Sequence, residues 1–251
     1  AIVAALVYNY YANQQKNQSS SIPVIDIAKL SEEGACPHCQ AEIKESIGVA
    51  CRDHGFFYVK GTGIPEELTS RIEASSRTFF AQDNKVKREI DMSKGGYAWR
   101  GYFAVGDELT SGRADQKEGI YFGIEEDPQD VRPLHGPNLW PTHTGHEQYK
   151  KDVLEYLEHM KRVSNVIMDA ISTHLYSLTN NNEQEQLQND FKQSFFSPTE
   201  LFRVFGYPAP NLSTSQNPDP ADFGVAEHTD YGYITVLYQD NTGGLQVKTS
   251  S

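Results

Sequence analysis

Cysteine is scarce in this chain, and positive charge is outweighed by negative charge. Three of the 251 residues are cysteine, too few for a disulfide scaffold, so we predict a reducing and therefore cytoplasmic setting. Lys and Arg number 22 against 34 Asp and Glu, which gives a formal net charge of -12. Because such a chain repels phosphate backbones, nucleic acid is not an expected partner. Long apolar runs are also lacking, so we expect no membrane association of the folded part.

The beginning of the chain differs in composition from the remainder. A short apolar patch is followed by a polar tract rich in Gln, Asn and Ser. We predict a leader or a disordered tract over residues 1–21. A remnant of a signal or anchor segment is the alternative, because the first residue is Ala1 and the start of such a segment would be missing.

From Ile22 onward the hydrophobic pattern predicts mixed elements first, then a long helix, and finally a β region. Apolar residues at helical spacing predict helices over about 41–53, 65–81 and 146–178. Runs of β-branched and aromatic residues predict strands in SIPVIDI, GFFYVKG, EGIYFGI and FRVFGYP. Near the end, YITVLY and LQV flank the turn-forming QDNTGG, which predicts a β-hairpin.

The triplet His228-Thr229-Asp230 is the main candidate for chemistry. We predict that it lies on a strand, where residues i and i+2 point to the same face, so that the imidazole and the carboxylate converge. These two groups form two-thirds of the 2-His-1-carboxylate triad, which binds iron(II) and leaves coordination positions open. Such a triplet also occurs by chance on surface strands, so its setting beside a predicted strand and hairpin matters.

The string EHTDYGYITVLYQDNTGGLQV resembles the iron-binding core of the isopenicillin N synthase-like dioxygenases. IPVIDIAKL and ACRDHGFFYVKGTGI resemble the N-terminal region of that family, and RGYFAVGDELTSGRADQKEGIYFG and LHGPNLWP resemble its middle. The matches recur in order from Ile22 to the end, which makes them more specific than one motif. The resemblance implies an α+β, mostly β fold: a distorted double-stranded β-helix, or jelly-roll, with an N-terminal mixed α/β region and a long backing helix.

The resemblance also implies the reaction and the ligands. The family uses iron(II), O2 and usually 2-oxoglutarate, whose decarboxylation to succinate is coupled to hydroxylation, desaturation or cyclisation of a small organic substrate. By the resemblance, His228 and Asp230 are the first two metal ligands. The family's second His ligand and its Arg-x-Ser element, which binds 2-oxoglutarate, find no counterpart here, since neither His nor Arg follows Asp230 in the printed sequence. We therefore expect a fragment with a truncated jelly-roll that is inactive as it stands.

On this basis the chain is divided into four parts. Residues 1–21 are the leader, and 22–141 are the N-terminal dioxygenase region. Residues 142–195 are a helical segment that includes the polar break NNNEQEQLQND, and 196–251 are the first part of the jelly-roll.

Three further residues are candidates for ligand contacts. By the resemblance, Tyr207, just before Pro208, contacts 2-oxoglutarate, and Phe122 lines the substrate pocket. Arg203 alternates with Phe205 and Tyr207, so the three share one strand face, and its guanidinium can pair with an acidic substrate. The alternative for Tyr207 and Phe122 is packing in the core, and the alternative for Arg203 is a solvated strand face.

The cysteines allow a different class of function. Cys36 and Cys39, in the tetrapeptide CPHC, match the C-x-x-C pattern of redox dithiols, and with Cys51 and His54 they offer four zinc ligands. A predicted helix separates the two pairs, and we expect no thioredoxin-like βαβ unit here, so unreactive thiols are the preferred interpretation. Two more functions stay open: an oxidase of the same fold that uses no 2-oxoglutarate, and a non-catalytic jelly-roll binding module.

Overall fold

The computed structural model describes residues 3–7, 22–32, 34–142, 145–178, 186, 189, 190, 193, 199–209 and 223–248. Within this part of the chain no helix combines the length and apolar character needed to cross a lipid bilayer. The helices are α1 (Pro37–Asp53), α2 (Glu66–Phe80), α3 (Asn84–Lys87) and α4 (His146–Ser177). The strands are β1 (Val3–Val7), β2 (Val24–Asp26), β3 (Phe56–Lys60), β4 (Gly101–Phe103), β5 (Leu109–Thr110), β6 (Arg113–Ala114), β7 (Glu118–Gly123), β8 (Leu201–Gly206) and β9 (Ile234–Leu237). Short 3-10 helices cover Ala28–Leu30, Arg88–Ile90, Met92–Lys94 and Gly96–Ala98.

The backbone divides into two units. The first comprises residues 1–63, 159–197 and 230–251, and the second comprises 64–158 and 198–229. Most of the predicted leader lies outside the described residues, although its residues Val3–Val7 form β1. The polar break also lies largely outside them.

The first unit is built on a four-stranded sheet of order β2-β3-β1-β9, in which every neighbouring pair is parallel. Helix α1 connects β2 to the adjacent parallel strand β3, so these three elements form a βαβ unit. The expectation that such a unit is missing is therefore wrong. The physical reason is that a strand's choice of partner is a long-range contact, which the local hydrophobic pattern does not reveal.

Helix α1 confirms the predicted periodicity and begins a turn earlier than expected, with Cys36 as its N-cap. Its inward side chains Ile47 and Ala50 are buried, and so are Phe57 and Val59 of β3. Burying an apolar side chain the size of valine or larger contributes roughly 1.5–3 kcal/mol. This apolar contact surface explains why the helix and the strand form together.

The four suggested zinc ligands lie at opposite ends of α1. Cys36 and Cys39 are at its start, whereas Cys51 and His54 are at its end. At the helical rise per residue, Cys36 and Cys51 are separated by about 22 Å along the axis, while zinc lies only about 2.0–2.3 Å from each ligand atom. The zinc-module alternative is therefore wrong.

The second unit contains the antiparallel sheet β4-β7-β8 and the small hairpin β5-β6. Strand β7 is central in the sheet, and all of its residues are buried. Helix α2 follows Pro65 and carries Glu66 and Glu67 in its first turn, where acidic groups stabilise a helix. Phe79 of α2 packs edge-to-face against Tyr102 of β4 at 5.7 Å, so this helix covers the sheet.

A buried ion pair anchors the start of β7. Lys87 Nζ donates a hydrogen bond of 2.6 Å to Glu118 Oε2, and the Tyr102 hydroxyl donates one of 2.6 Å to the same oxygen. The Lys87 and Glu118 side chains are only 10% and 12% exposed. Lys87 Nζ also donates to the Phe80 carbonyl at 3.2 Å. These partners compensate for removing two charges from water.

The long helix predicted over 146–178 is confirmed as α4. In the second unit, Arg71 of α2 donates from Nε and Nη2 to Asp152 Oδ1 of α4, at 3.0 and 2.9 Å. Asp152 is 1% exposed, so this contact ties the two helices together at a buried position.

The predicted hairpin of YITVLY and LQV is only half present. Ile234–Leu237 forms β9, but residues 245–247 lie in irregular backbone, so the second strand of the prediction is wrong. Gly243 and Gly244 take φ angles of 78° and 104°, in the region that favours glycine. The described strand beside β9 is β1, which supplies a parallel partner in place of a hairpin.

Candidate functional site

The His228 triplet does not lie on a strand, so that prediction is wrong. Residues 226–232 are in irregular backbone, and β9 begins only at Ile234. Gly232 has a φ angle of 96°, which interrupts the extended conformation between the triplet and β9. The alternation of side chains along a strand therefore no longer supports the convergence of His228 and Asp230.

The segment that carries the histidine is held in place within the second unit. The backbone N–H of Gln116 donates to the Gly224 carbonyl at 2.8 Å, and the Ser111 hydroxyl donates to the Glu227 carbonyl at 3.1 Å. Gly224 packs so closely on the Tyr207 ring that an added Cβ would overlap its Cδ1 atom. These contacts place the segment beside the β5–β6 hairpin and beside Tyr207.

The imidazole of His228 is oriented by its own backbone. The side chain is exposed, and its Nδ1 lies 2.8 Å from the Ala226 carbonyl oxygen. Because a carbonyl oxygen only accepts hydrogen bonds, Nδ1 carries the proton of the neutral ring and Nε2 carries the lone pair. Histidines that bind metals commonly donate their other ring nitrogen in this way. His228 therefore fits a metal ligand acting through Nε2.

Asp230 belongs to the first unit, where it is half-buried in irregular backbone. A carboxylate oxygen and an imidazole nitrogen are the ligand types found at non-haem iron(II) sites. By donor chemistry, His228 and Asp230 are each a suitable ligand type for this metal.

Arg203 and Phe205 lie on the same side of β8, as predicted, whereas Tyr207 comes just after the end of that strand. The guanidinium carbon of Arg203 lies 4.8 Å from the ring centroid of Tyr121 on the neighbouring strand β7. The Phe205 ring lies 6.3 Å from Tyr121 and 6.4 Å from Tyr207. Arg203 is thus partly covered by an aromatic ring, in a cation–π arrangement, rather than surrounded by solvent.

A charged cluster that was not predicted from the sequence lies beside this face. Lys117 Nζ is 2.6 Å from Asp115 Oδ2 and 3.4 Å from Glu108 Oε2, and the Tyr121 hydroxyl donates to Glu108 Oε1 at 2.5 Å. Asp115 and Lys117 are 2% and 7% exposed. Their spacing of two residues, which puts both on one side of an extended chain, was the available signal in the sequence.

Tyr207 follows β8 and is 55% exposed. Despite this exposure, the surrounding protein raises the pKa of its hydroxyl by desolvation, and the negative charges of Asp115 and Glu108 raise this pKa further. A tyrosine hydroxyl is protonated near neutral pH even at its ordinary pKa of about 10, so it can donate a hydrogen bond to a carboxylate.

Phe122 of β7 has no exposed surface. Its ring stacks on Trp140, with 4.9 Å between centroids, and meets Tyr149 edge-on at 6.1 Å. The Phe202 ring of β8 lies 6.3 Å from the Phe122 ring. The structure places Phe122 in the core, and its role in lining a substrate pocket stays a prediction.

A second group of potential metal ligands lies in the loop after β7. Glu126, Asp130 and His135 bring ligand atoms within 4.8 Å of one another. The Arg132 guanidinium, however, donates to Asp130 Oδ2 at 2.6 Å and lowers the pKa of that carboxyl to about 2. His135 Nδ1 lies 2.8 Å from Glu126 Oε1. Because Arg132 already supplies the compensating cation, we interpret this group as an internal charge network.

Comparison with known sequences identifies the family. Residues 22–143 match the profile described as the N-terminal region of non-haem dioxygenases in morphine synthesis, and residues 198–251 match the 2OG-Fe(II) oxygenase superfamily. A probable iron/ascorbate oxidoreductase of Dictyostelium discoideum is 37% identical, and the alignment covers 92% of this chain and 66% of that protein. A 1-aminocyclopropane-1-carboxylate oxidase of Dictyostelium mucoroides is 32% identical, with 92% and 67% covered.

A solved structure supports the same assignment at the level of the fold. A Neurospora crassa protein, crystallised in complex with alpha-KG and thymine, matches with a TM-score of 0.57 and 21% identity, over 74% of this chain and 55% of that chain. The likeness is consistent with the predicted jelly-roll core. The chain spans about two thirds of the length of the curated relatives named above.

Together these matches define a class, the non-haem iron oxygenases. The chain belongs to the 2OG-Fe(II) oxygenase superfamily, as the resemblance implied. The predicted family is therefore confirmed, and by that membership the predicted enzyme class and cofactors are those of the iron(II)- and 2-oxoglutarate-dependent oxygenases.

Proposed function

We propose that the protein couples the decarboxylation of 2-oxoglutarate to the O2-dependent oxidation of a small organic substrate. Family membership supports the reaction class, and the hydrogen bond between His228 Nδ1 and the Ala226 carbonyl is the observation that carries the site assignment. Hydroxylation, desaturation and cyclisation are the outcomes that this chemistry allows. Iron(II), when bound, would activate O2, which is the oxidant, while the protein positions the reactants and excludes water.

The proposed ligands are His228 and Asp230. His228 would hold iron(II) through Nε2, because its Nδ1 proton is engaged by the backbone of Ala226. Asp230, two residues later, would add a carboxylate oxygen and reduce the positive charge of the site.

For the cosubstrate we propose a contact with Tyr207. Its hydroxyl is protonated near neutral pH, as in any tyrosine, so it would donate a hydrogen bond to a carboxylate of 2-oxoglutarate. The packing of Gly224 on the Tyr207 ring supports this role, since Gly224 belongs to the same segment as His228.

For the substrate we propose Arg203 as the partner of an acidic group. The Tyr121 ring covers one side of the guanidinium, and the planar fork of N–H donors in a guanidinium matches the geometry of a carboxylate. Phe122 would line the pocket only if its ring left the stack with Trp140. The thymine in the Neurospora structure and the aminocarboxylate in the name of the Dictyostelium relative support a small-molecule substrate.

The reaction is tested by measuring succinate formation and O2 consumption with the full-length protein, iron(II) and 2-oxoglutarate. We expect succinate in proportion to O2 consumed; O2 consumption without succinate would favour the oxidase that uses no 2-oxoglutarate. His228→Ala should abolish succinate formation without changing the far-UV circular dichroism, and unchanged turnover would refute the ligand assignment.

The cosubstrate contact is tested with Tyr207→Phe. Loss of one hydrogen bond to a charged group costs about 1.5–3 kcal/mol, so the KM for 2-oxoglutarate should rise roughly tenfold to a hundredfold. An unchanged KM would remove Tyr207 from the site.

A further inference from the structure

The tetrapeptide CPHC occupies the first turn of α1, outside the residues proposed for iron and 2-oxoglutarate. Cys36 is the N-cap residue, Pro37 is the first helical residue, and Cys39 lies in the same turn. Cys36 is exposed and Cys39 is half-buried, and neither forms a disulfide. Two thiols in one exposed turn can be reached by small molecules and can also react with each other.

The two sulfurs are in unequal environments. The Cys39 amide donates to Cys36 Sγ at 3.3 Å, at the end of the helix where unpaired N–H groups favour negative charge. Hydrogen bonds from the Cys39 side chain and amide lower the pKa of the Cys36 thiol. The same side-chain hydrogen bond raises the pKa of the Cys39 thiol, and burial raises it further. Cys36 is therefore the more acidic of the two thiols and the expected attacking group.

The surrounding topology supplies an independent argument. Strand β2, helix α1 and strand β3 form a parallel βαβ unit, and the C-x-x-C motif stands where the chain enters the helix of that unit. A C-x-x-C motif beside a βαβ unit is the arrangement associated with redox dithiols. The sequence alone disfavours a redox function because no βαβ unit is expected from it, and the structure contains one.

The third cysteine provides a contrast on the same helix. Cys51 lies near the end of α1, and burial raises the pKa of its thiol to about 11. A protonated, half-buried thiol is a poor nucleophile, so Cys51 serves as an internal control.

We propose that Cys36 and Cys39 form a reversible redox dithiol whose oxidant is a small-molecule disulfide of the glutathione type. The Cys36 thiolate attacks one sulfur of that disulfide, which forms a mixed disulfide and releases one glutathione thiolate. Cys39 then loses its proton and attacks the Cys36 sulfur, which closes the Cys36–Cys39 bond and releases the second glutathione. The two cysteines lose two electrons, and the small disulfide gains them.

The test equilibrates the reduced protein with buffers of increasing ratio of oxidised to reduced glutathione. Acid quenching, alkylation of free thiols and peptide mass mapping then show which cysteines are bonded. We expect a Cys36–Cys39 disulfide that appears and disappears with the ratio, while Cys51 remains alkylated. No bond across the full range of ratios would overturn the proposal.

Three serine variants separate the roles of the thiols. Cys39→Ser should accumulate glutathione on Cys36, because the resolving thiol is gone. Cys36→Ser keeps a good N-cap and should lose the reaction with glutathione. Cys51→Ser is the matched control and should titrate like the original protein. Modification of Cys39 in Cys36→Ser at the original rate would overturn the assignment of the nucleophile, and circular dichroism confirms that each variant is folded.

Discussion

The buried pair of Lys87 and Glu118 allows a stability prediction with a defined magnitude. Lys87→Met leaves the Glu118 carboxylate with the Tyr102 hydroxyl as a donor but without its cation, at a site where the two side chains are 10% and 12% exposed. Removing one partner of a buried pair costs about 3–5 kcal/mol, and the remaining Tyr102 donor places the expected loss near 3 kcal/mol. For a chain of this size that loss lowers Tm by about 6–12 °C.

The assay is urea and thermal unfolding followed by circular dichroism, with Arg77→Met as the matched control. Arg77 Nε pairs with Glu73 at 3.0 Å, but these side chains are 62% and 36% exposed, so its removal should cost less than about 1 kcal/mol. The double variant Lys87→Met/Glu118→Gln should recover part of the loss, since it buries no unpaired charge. Equal losses in Lys87→Met and Arg77→Met would refute the reasoning.

Two further predictions concern a glycine of β7 and the loop after it. Gly119→Ala should destabilise the protein by about 1–3 kcal/mol in urea unfolding, because its Cβ would lie 2.6 Å from the Phe103 ring and 2.7 Å from the Phe205 ring; unchanged stability would contradict this packing. The Asp130 carboxyl should titrate at about 2 by carbon NMR, and Arg132→Gln should move the midpoint up towards the ordinary value of about 3.9. Because the pKa of Asp130 is lower in the folded state, the network stabilises the loop above about pH 3.9 and loses this contribution as the pH falls through about 2. If Arg132→Gln left the titration midpoint of Asp130 unchanged, the ion pair would be excluded as the cause of the lowered pKa.

The elements with local signals were predictable from the sequence. Helix α4 was predicted within one residue of its end, because Val153, Val163, Ile167 and Ile171 repeat at helical spacing and all four are buried. The face shared by Arg203 and Phe205 followed from alternation along a single strand, which ends just before Tyr207. In each case the pattern lies within one element.

Features that depend on long-range contacts were not predictable. The local pattern located β2, β3 and β9, but it contained nothing about their parallel order around β1. The approach of Glu108 to Lys117 depends on the turn of the β5–β6 hairpin, which brings the two side chains together. Only the structure shows the φ angle of Gly232, and this angle separates the His228 triplet from β9.

Iron(II) binding tests the assignment of His228 and Asp230 most directly. The full-length protein would be dialysed anaerobically against iron(II), and the bound metal would be quantified together with the circular dichroism of each variant. We expect binding that is lost in His228→Ala and in Asp230→Ala and retained in His54→Ala, whose imidazole is exposed at the end of α1. Undiminished iron binding in folded His228→Ala and Asp230→Ala would contradict the proposed site.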